Sequence, residues 1–188
     1  MPDNAPRALP TRVDAARNRA RIIAVAQSAF GDGDRDVSMA EISRRAGVSM
    51  ATLYRNFANR GELLSAIYAD EVESLIRAAE PSDDDDPGAA FDAWLRRFFD
   101  FYNSKRRVAS QLVEYGAAHT RQGPGRQGVL DAGRPLLDAA REAGEVQSDL
   151  TLEQILDMVA AIATIERTPD HVEPILRSVI ASLKPQRS

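Results

Sequence analysis

Two serines that read as helix caps, Ser38 and Ser49, stand on either side of a glycine, Gly47, in the stretch SMAEISRRAGVSMATLYRNFANRGELL (38–64). No other feature constrains the chain as tightly. A serine hydroxyl at a helix start accepts from an amide two or three residues on, and Ser38 with Glu41 makes a capping box. A glycine after a short helix supplies the positive φ that a tight corner needs. The stretch is therefore predicted to form two helices of about two turns meeting at Gly47. Ile42, Ala46, Val48, Leu53 and Phe57 face inward, and Asn59 with Glu62 caps the start of a third helix.

The rest of the chain is helical in pattern. Ile22, Ile23, Ala26, Ala29 and Phe30 stripe a first helix from about Asp14 to Phe30, with Arg17, Arg19 and Arg21 on its solvated sides. Gly31, Asp32, Gly33 and Asp34 turn the chain after it. Leu63, Leu64, Ile67, Val72, Leu75 and Ile76 mark a fourth helix to about Glu80, and Pro81–Gly88 is the clearest break, with a cap at Asp86. Beyond it no strand signal appears. Helices are expected over about Ala89–Tyr102, Ser104–Thr120 and Val129–Ala143, with a loop over Arg121–Gly128. Pro135 kinks the last of these or marks its first turn, and Gly144 closes it. Two more helices follow Thr151 and Pro169, for about nine in an all-α fold. The expected layout is an arm (1–11), an N-terminal module (12–60), a connecting helix (61–80) and a helical domain (81–188).

Composition narrows the function. A net charge of −4 argues by itself against nucleic acid, but nine Arg against five acids in residues 12–60 leave that segment at +4. A basic module on an acidic body can still bind a polyanion. With no cysteine, disulfides and thiolate metal sites are excluded, and two distant histidines do not suggest a metal centre. No apolar run of membrane-spanning length and no signal-peptide pattern is present, so a cytoplasmic protein without cofactors or membrane contact is expected. No paired carboxylates, nucleophile–base motif or phosphate loop points to an enzyme.

In a helix-turn-helix the second helix enters the major groove with its N-terminal residues near base edges. The outward positions here are Ser49, Met50, Ala51, Thr52, Arg55 and Asn56, while the Tyr54 ring can pack against the helices and its hydroxyl reach the DNA backbone. Hydroxyls of Ser49 and Thr52 can bond phosphate, Ala51 or Thr52 can meet a thymine methyl, and Arg55 can bind guanine or phosphate. Ser38 sits at the start of the first helix of the pair, and Arg60 joins a cation to a helix N-terminus. Ala46, Gly47, Val48, Ser49, Thr52, Leu53, Tyr54, Phe57, Arg60 and Leu63 match the pattern A-G-V-S-x-x-T-L-Y-x-x-F-x-x-[KR]-x-x-L, and the stretch resembles the TetR family of bacterial repressors. By that resemblance, which covers about residues 12–77, Met50, Ala51 and Tyr54 approach bases and Thr52, Tyr54 and Arg60 hold phosphates. Asn56 stands where His or Tyr is usual and Met50 where a Lys or polar residue often sits, so base preference differs. The connection from Phe30 to Ile42 is a residue shorter than in many members.

The resemblance also implies a double-stranded operator, a homodimer and a small hydrophobic or aromatic effector. Seam residues Ile155, Val159, Ile162, Val172, Ile175, Leu176, Val179 and Leu183 on the last two helices are the expected dimer contacts, although packing within one chain produces the same stripe. Phe98, Tyr102, Leu112, Tyr115, His119, Met158 and Ile162 are the candidate pocket. The function expected is a DNA-binding regulator, a repressor released by an apolar ligand. The alternatives are a ligand-independent regulator, and a helical interaction protein or enzyme.

Overall fold

A computed structural model describes residues 12–31, 37–80, 86–114, 125–147 and 149–185, with backbone alone for 12, 13, 31 and 105–114. Among these residues every regular element is a helix: α1 (Arg12–Gly31), α2 (Met39–Arg45), α3 (Met50–Asn56), α4 (Arg60–Arg77), α5 (Pro87–Glu114), α6 (Gly125–Glu142), α7 (Leu152–Ala163) and α8 (Pro169–Ser182). They divide into two compact units, Met1–Ile67 and Tyr68–Ser188.

In the first unit α1 packs on α2 and α2 on α3. Ile22, Ala26, Ile42, Leu53, Leu63 and Leu64 are fully buried there. Two backbone bonds close the corner. Gly47 has φ 62°, its amide donates to the Arg44 carbonyl at 3.1 Å, and the Val48 amide donates to the Ser43 carbonyl at 3.1 Å. Those two bonds form a Schellman motif, which satisfies the last carbonyls of α2 while reversing the chain.

In the second unit α5 is the spine, packed on both α6 and α7, with α8 laid on α7. Phe91, Trp94, Leu95, Leu137, Ile155 and Val159 form its dry centre. Asp86 accepts from the Ala89 amide at 2.8 Å, capping α5 as expected. Gly144, at φ 73°, ends α6, and Thr151 with Gln154 makes the full capping box of α7.

Two expected helices, Ala89–Tyr102 and Ser104–Thr120, are one, since α5 runs unbroken from Pro87 to Glu114. Asn103 and Ser104 looked like a break, but neither forbids helical dihedrals, and the Ser104 hydroxyl bonds back to the Phe101 carbonyl at 3.0 Å. Pro135 lies inside α6, which starts at Gly125. The expected arm (1–11), the turn at Asp32–Asp34, most of the Pro81–Gly88 break and the first half of the Arg121–Gly128 loop lie outside the described residues, while residues 125–128, expected as loop, form the first turn of α6.

Candidate nucleic-acid interface

Both short helices start from serine caps. The Ser38 hydroxyl accepts from the Glu41 amide at 3.2 Å, and Ser49 accepts from the Thr52 amide at 3.2 Å while bonding the Thr52 hydroxyl at 2.9 Å. A capped helix of two turns keeps its orientation better than propensity alone allows. Beneath α3, Leu53 is fully buried and Phe57 1% exposed. Met50 at 38% and Tyr54 at 48% are exposed on its outer side, where large apolar groups have no folding reason to be. Ala51 and Arg55 are also exposed, and Thr52 is half-buried.

Two expected base readers are turned back on their own helix. The Asn56 amide donates to the Thr52 carbonyl at 2.8 Å, and Arg55 Nε donates to the Ala51 carbonyl at 3.2 Å. Arg60 is already engaged: its guanidinium lies 4.8 Å from the centre of the Phe30 ring, and it donates to the Val37 carbonyl. These contacts brace the first residue of α4 against Phe30 and Val37.

The basic charge counted from sequence is partly spent within the unit. Arg44 reaches both carboxylate oxygens of Glu41, at 2.8 and 2.6 Å, and Arg45 reaches one at 2.7 Å. These bonds, Arg44 first and Arg45 next, hold the Glu41 carboxyl down at about 2. It is thus ionised across the working pH range, and the three side chains together carry one positive charge, as the +4 of residues 12–60 already counts.

Sequence reasoning missed two contributors. Ser43 is the one buried polar side chain among the described residues, 4% exposed, and its hydroxyl donates to the Val48 carbonyl at 2.6 Å, a third bond across the corner. The signal was there: Ser43 shares the inward face with Ala46, one turn on. Arg19 reaches from α1 to the end of α3, and the spacing that grouped it with Arg17 and Arg21 carries no sign of this.

The expected dimer and pocket residues fare differently. Ile155, Val159, Ile162, Val172, Leu176 and Leu183 are all 7% exposed or less within their own chain. They are buried within their own chain, while Ile175 and Val179 of that set are half-buried. Phe98 at 4% and Ile162 at 7% are core as well, with Tyr102 and Met158 packed against them. The rings of Phe98 and Tyr102 sit 5.2 Å apart. Tyr115 and His119 lie outside the described residues, as does the side chain of Leu112.

Within the second unit a cleft of about 300 Å³ lies between α4 and α5, lined by Glu71, Leu75, Arg97, Asp100, Phe101 and Ser104 among others. Burial pushes the Glu71 carboxyl up, against the pull of the Ser104 hydroxyl bonded to it at 3.1 Å. Burial and then Glu173 raise Asp100. A carboxyl raised on folding adds stability that is present at low pH and lost as pH climbs through its folded value. Glu71→Gln keeps the acceptor for Ser104, and is expected to raise the neutral-pH melting midpoint by on the order of a degree or two and to flatten its decline above the usual glutamate range. An unchanged pH profile in thermal scans would show that Glu71 is solvated.

The comparisons agree with this geometry. Residues 22–67 match the family described as bacterial regulatory proteins, tetR family, and residues 86–184 match the C-terminal domain of SbtR-like transcriptional regulators. A TetR transcriptional regulator of Streptomyces coelicolor superposes with TM-score 0.72 at 33% identity, over 90% of this chain and 99% of that one. A TetR regulatory protein of Mycobacterium vanbaalenii superposes with TM-score 0.74 at 30% identity, over 93% and 99%. The regulator TtgR of Pseudomonas putida is 36% identical over 81 residues, 41% of this chain and 39% of the relative. The chain spans about two fifths of the curated relatives it matches.

Proposed function

The chain belongs to the TetR family of bacterial transcriptional regulators, and from that premise we propose that it binds a palindromic operator as a homodimer through α3 and represses until a small molecule releases it. Membership makes it a DNA-binding regulator rather than an enzyme. Its site of action is then the cytoplasm, on the nucleoid when bound.

One observation carries the docking: Met50 and Tyr54 are exposed on a capped helix whose other side is locked to a buried base. Met50, Ala51 and Tyr54 meet base edges, while Ser38, Ser49, Thr52, Tyr54 and Arg60 take phosphates; Arg55 and Asn56 swing out only by giving up their bonds to the helix. Tyr54→Ala is expected to weaken operator binding by about 1–3 kcal/mol without unfolding the chain. Undiminished binding in a gel-shift titration would remove α3 from the interface.

For the effector, the cleft between α4 and α5 supports a small molecule with a polar or charged group rather than the purely apolar one expected from sequence, because Glu71, Arg97 and Asp100 line it. Its volume is at the lower end for small-molecule sites. Glu71 and Leu75 lie on the same continuous helix, α4, that begins at Arg60. An occupant that tilts α4 changes the spacing of two readers, and it must favour the released state by its own differential affinity. The packed state of Phe98 and Ile162 favours a second reading, a regulator with no effector. A thermal-shift screen separates the two, since only a sensor gains stability from a ligand.

A further inference from the structure

We infer that Arg19 is a positioning residue for operator recognition, holding the C-terminal end of α3 against α1 and thereby setting the angle at which Met50, Ala51, Thr52 and Tyr54 meet base edges. The inference rests on the docking of α3 proposed above.

A helix of seven residues has few internal hydrogen bonds, so its orientation is set at its ends. The N-terminal end of α3 is fixed by the Ser49 cap and the Gly47 corner. The C-terminal end is Asn56 followed by Phe57, where the chain becomes extended at φ −144° and ψ 104°. Arg19 meets both residues. Its guanidinium carbon lies 4.5 Å from the centre of the Phe57 ring, and Nη1 lies 3.4 Å from the Asn56 carbonyl oxygen. That second contact is long for a hydrogen bond and draws its strength from charge against the negative end of the helix dipole.

A planar guanidinium stacks on a ring while its rigid fork directs an N–H at a carbonyl beside it, a pre-organised geometry that the compact, strongly hydrated ammonium of a lysine does not reproduce. The Phe57 ring is 1% exposed and immobile in the core, so it fixes the guanidinium as much as it is covered by it. Neighbouring arginines of α1 do something else. Arg17 lies 4.0 Å from Asp14 and Arg21 donates to Asn18 at 2.9 Å, both within α1. Arg19 alone of these three crosses to the reader.

A positioning residue and a phosphate contact differ in what they do to salt dependence and to specificity. A phosphate contact carries about 0.9 of the slope of log affinity against log salt and acts alike on every sequence. The test uses the full-length chain and a duplex that the unmodified chain selects from a random library, with an unselected duplex as control. Arg19→Lys and Arg19→Ala are each expected to lose roughly five- to ten-fold on the selected duplex. Binding to the unselected duplex and the salt slope should stay unchanged. Arg19 is exposed, so both variants are expected to fold. The role is overturned if Lys restores binding, if the slope drops by about one contact, or if affinity for both duplexes falls together as destabilisation would make it. Failure of the unmodified chain to select any duplex defeats the docking instead, whereas selection with undiminished binding by both variants defeats the Arg19 role alone.

Discussion

Trp94→Ala is expected to cost about 3–5 kcal/mol and to lower the melting midpoint by roughly 10 °C. Trp94 is 1% exposed at the middle of the second unit, with the rings of Phe91 and Phe98 each 6.3 Å away. Its indole N–H donates to the Leu75 carbonyl at 3.1 Å. That carbonyl has lost its usual helical donor, because the Ala79 amide bonds the Ile76 carbonyl instead as α4 ends. The alanine variant therefore leaves both a cavity and a buried carbonyl without a donor. The same ring explains Gly133. A Cβ there would stand 2.2 Å from the ring carbon Cη2, so Gly133→Ala forces a close-packed indole to move. In the Trp94→Ala background the added methyl enters the vacated space, and the two changes should be less harmful together than their sum. Urea unfolding of the four proteins checks this; a loss below about 1 kcal/mol for Trp94→Ala would mean the site collapses onto the gap.

Leu176→Glu is expected to abolish the fold of the second unit rather than merely separate two copies. Leu176 is 1% exposed within one chain, and a carboxylate placed there has no cation to pair with among the core residues around it. Such a burial costs more than about 4 kcal/mol. The contrasting pair is Ile175→Glu with Val179→Glu, on the same helix but half-buried. If the outer side of α8 joins two copies, that double variant keeps its helicity and elutes as a monomer. A helical, monomeric Leu176→Glu would return the seam to the interface and contradict the single-chain core.

What the sequence disclosed, and what it hid, follows the range of the interactions involved. Ser38, Gly47, Ser49 and Asp86 were readable because a cap or a positive-φ corner is decided within four residues. The inward face of the first unit was readable because period alone selects Ile42, Leu53 and Phe57. The stripe of Ile155, Val159, Val172 and Leu176 was seen correctly as apolar, yet period cannot tell whether the opposing surface belongs to the same chain or to another. Helix α5 continues through Ser104, whose hydroxyl is shared between the Phe101 carbonyl one turn back and the Glu71 carboxylate on α4, and the second of these is not a local contact. The contacts of Arg19 with Asn56 and of Arg60 with Val37 join residues 37 and 23 positions apart, and no local rule anticipates them. The aromatic run in α5 was legible as aromatic, but the contact of Phe98 with Tyr102 forms only once α5 is folded.

The central claim is that α3 reads the major groove from a two-fold dimer. Selection from a random duplex library, followed by footprinting of the enriched sequence, tests it most directly. The enriched sequence is expected to be an inverted repeat whose half-site centres lie one DNA turn, ~34–36 Å, apart or slightly more, with protection lost on the Tyr54→Ala protein. Enrichment of a single unrepeated site, or a footprint that Tyr54→Ala leaves intact, would contradict it.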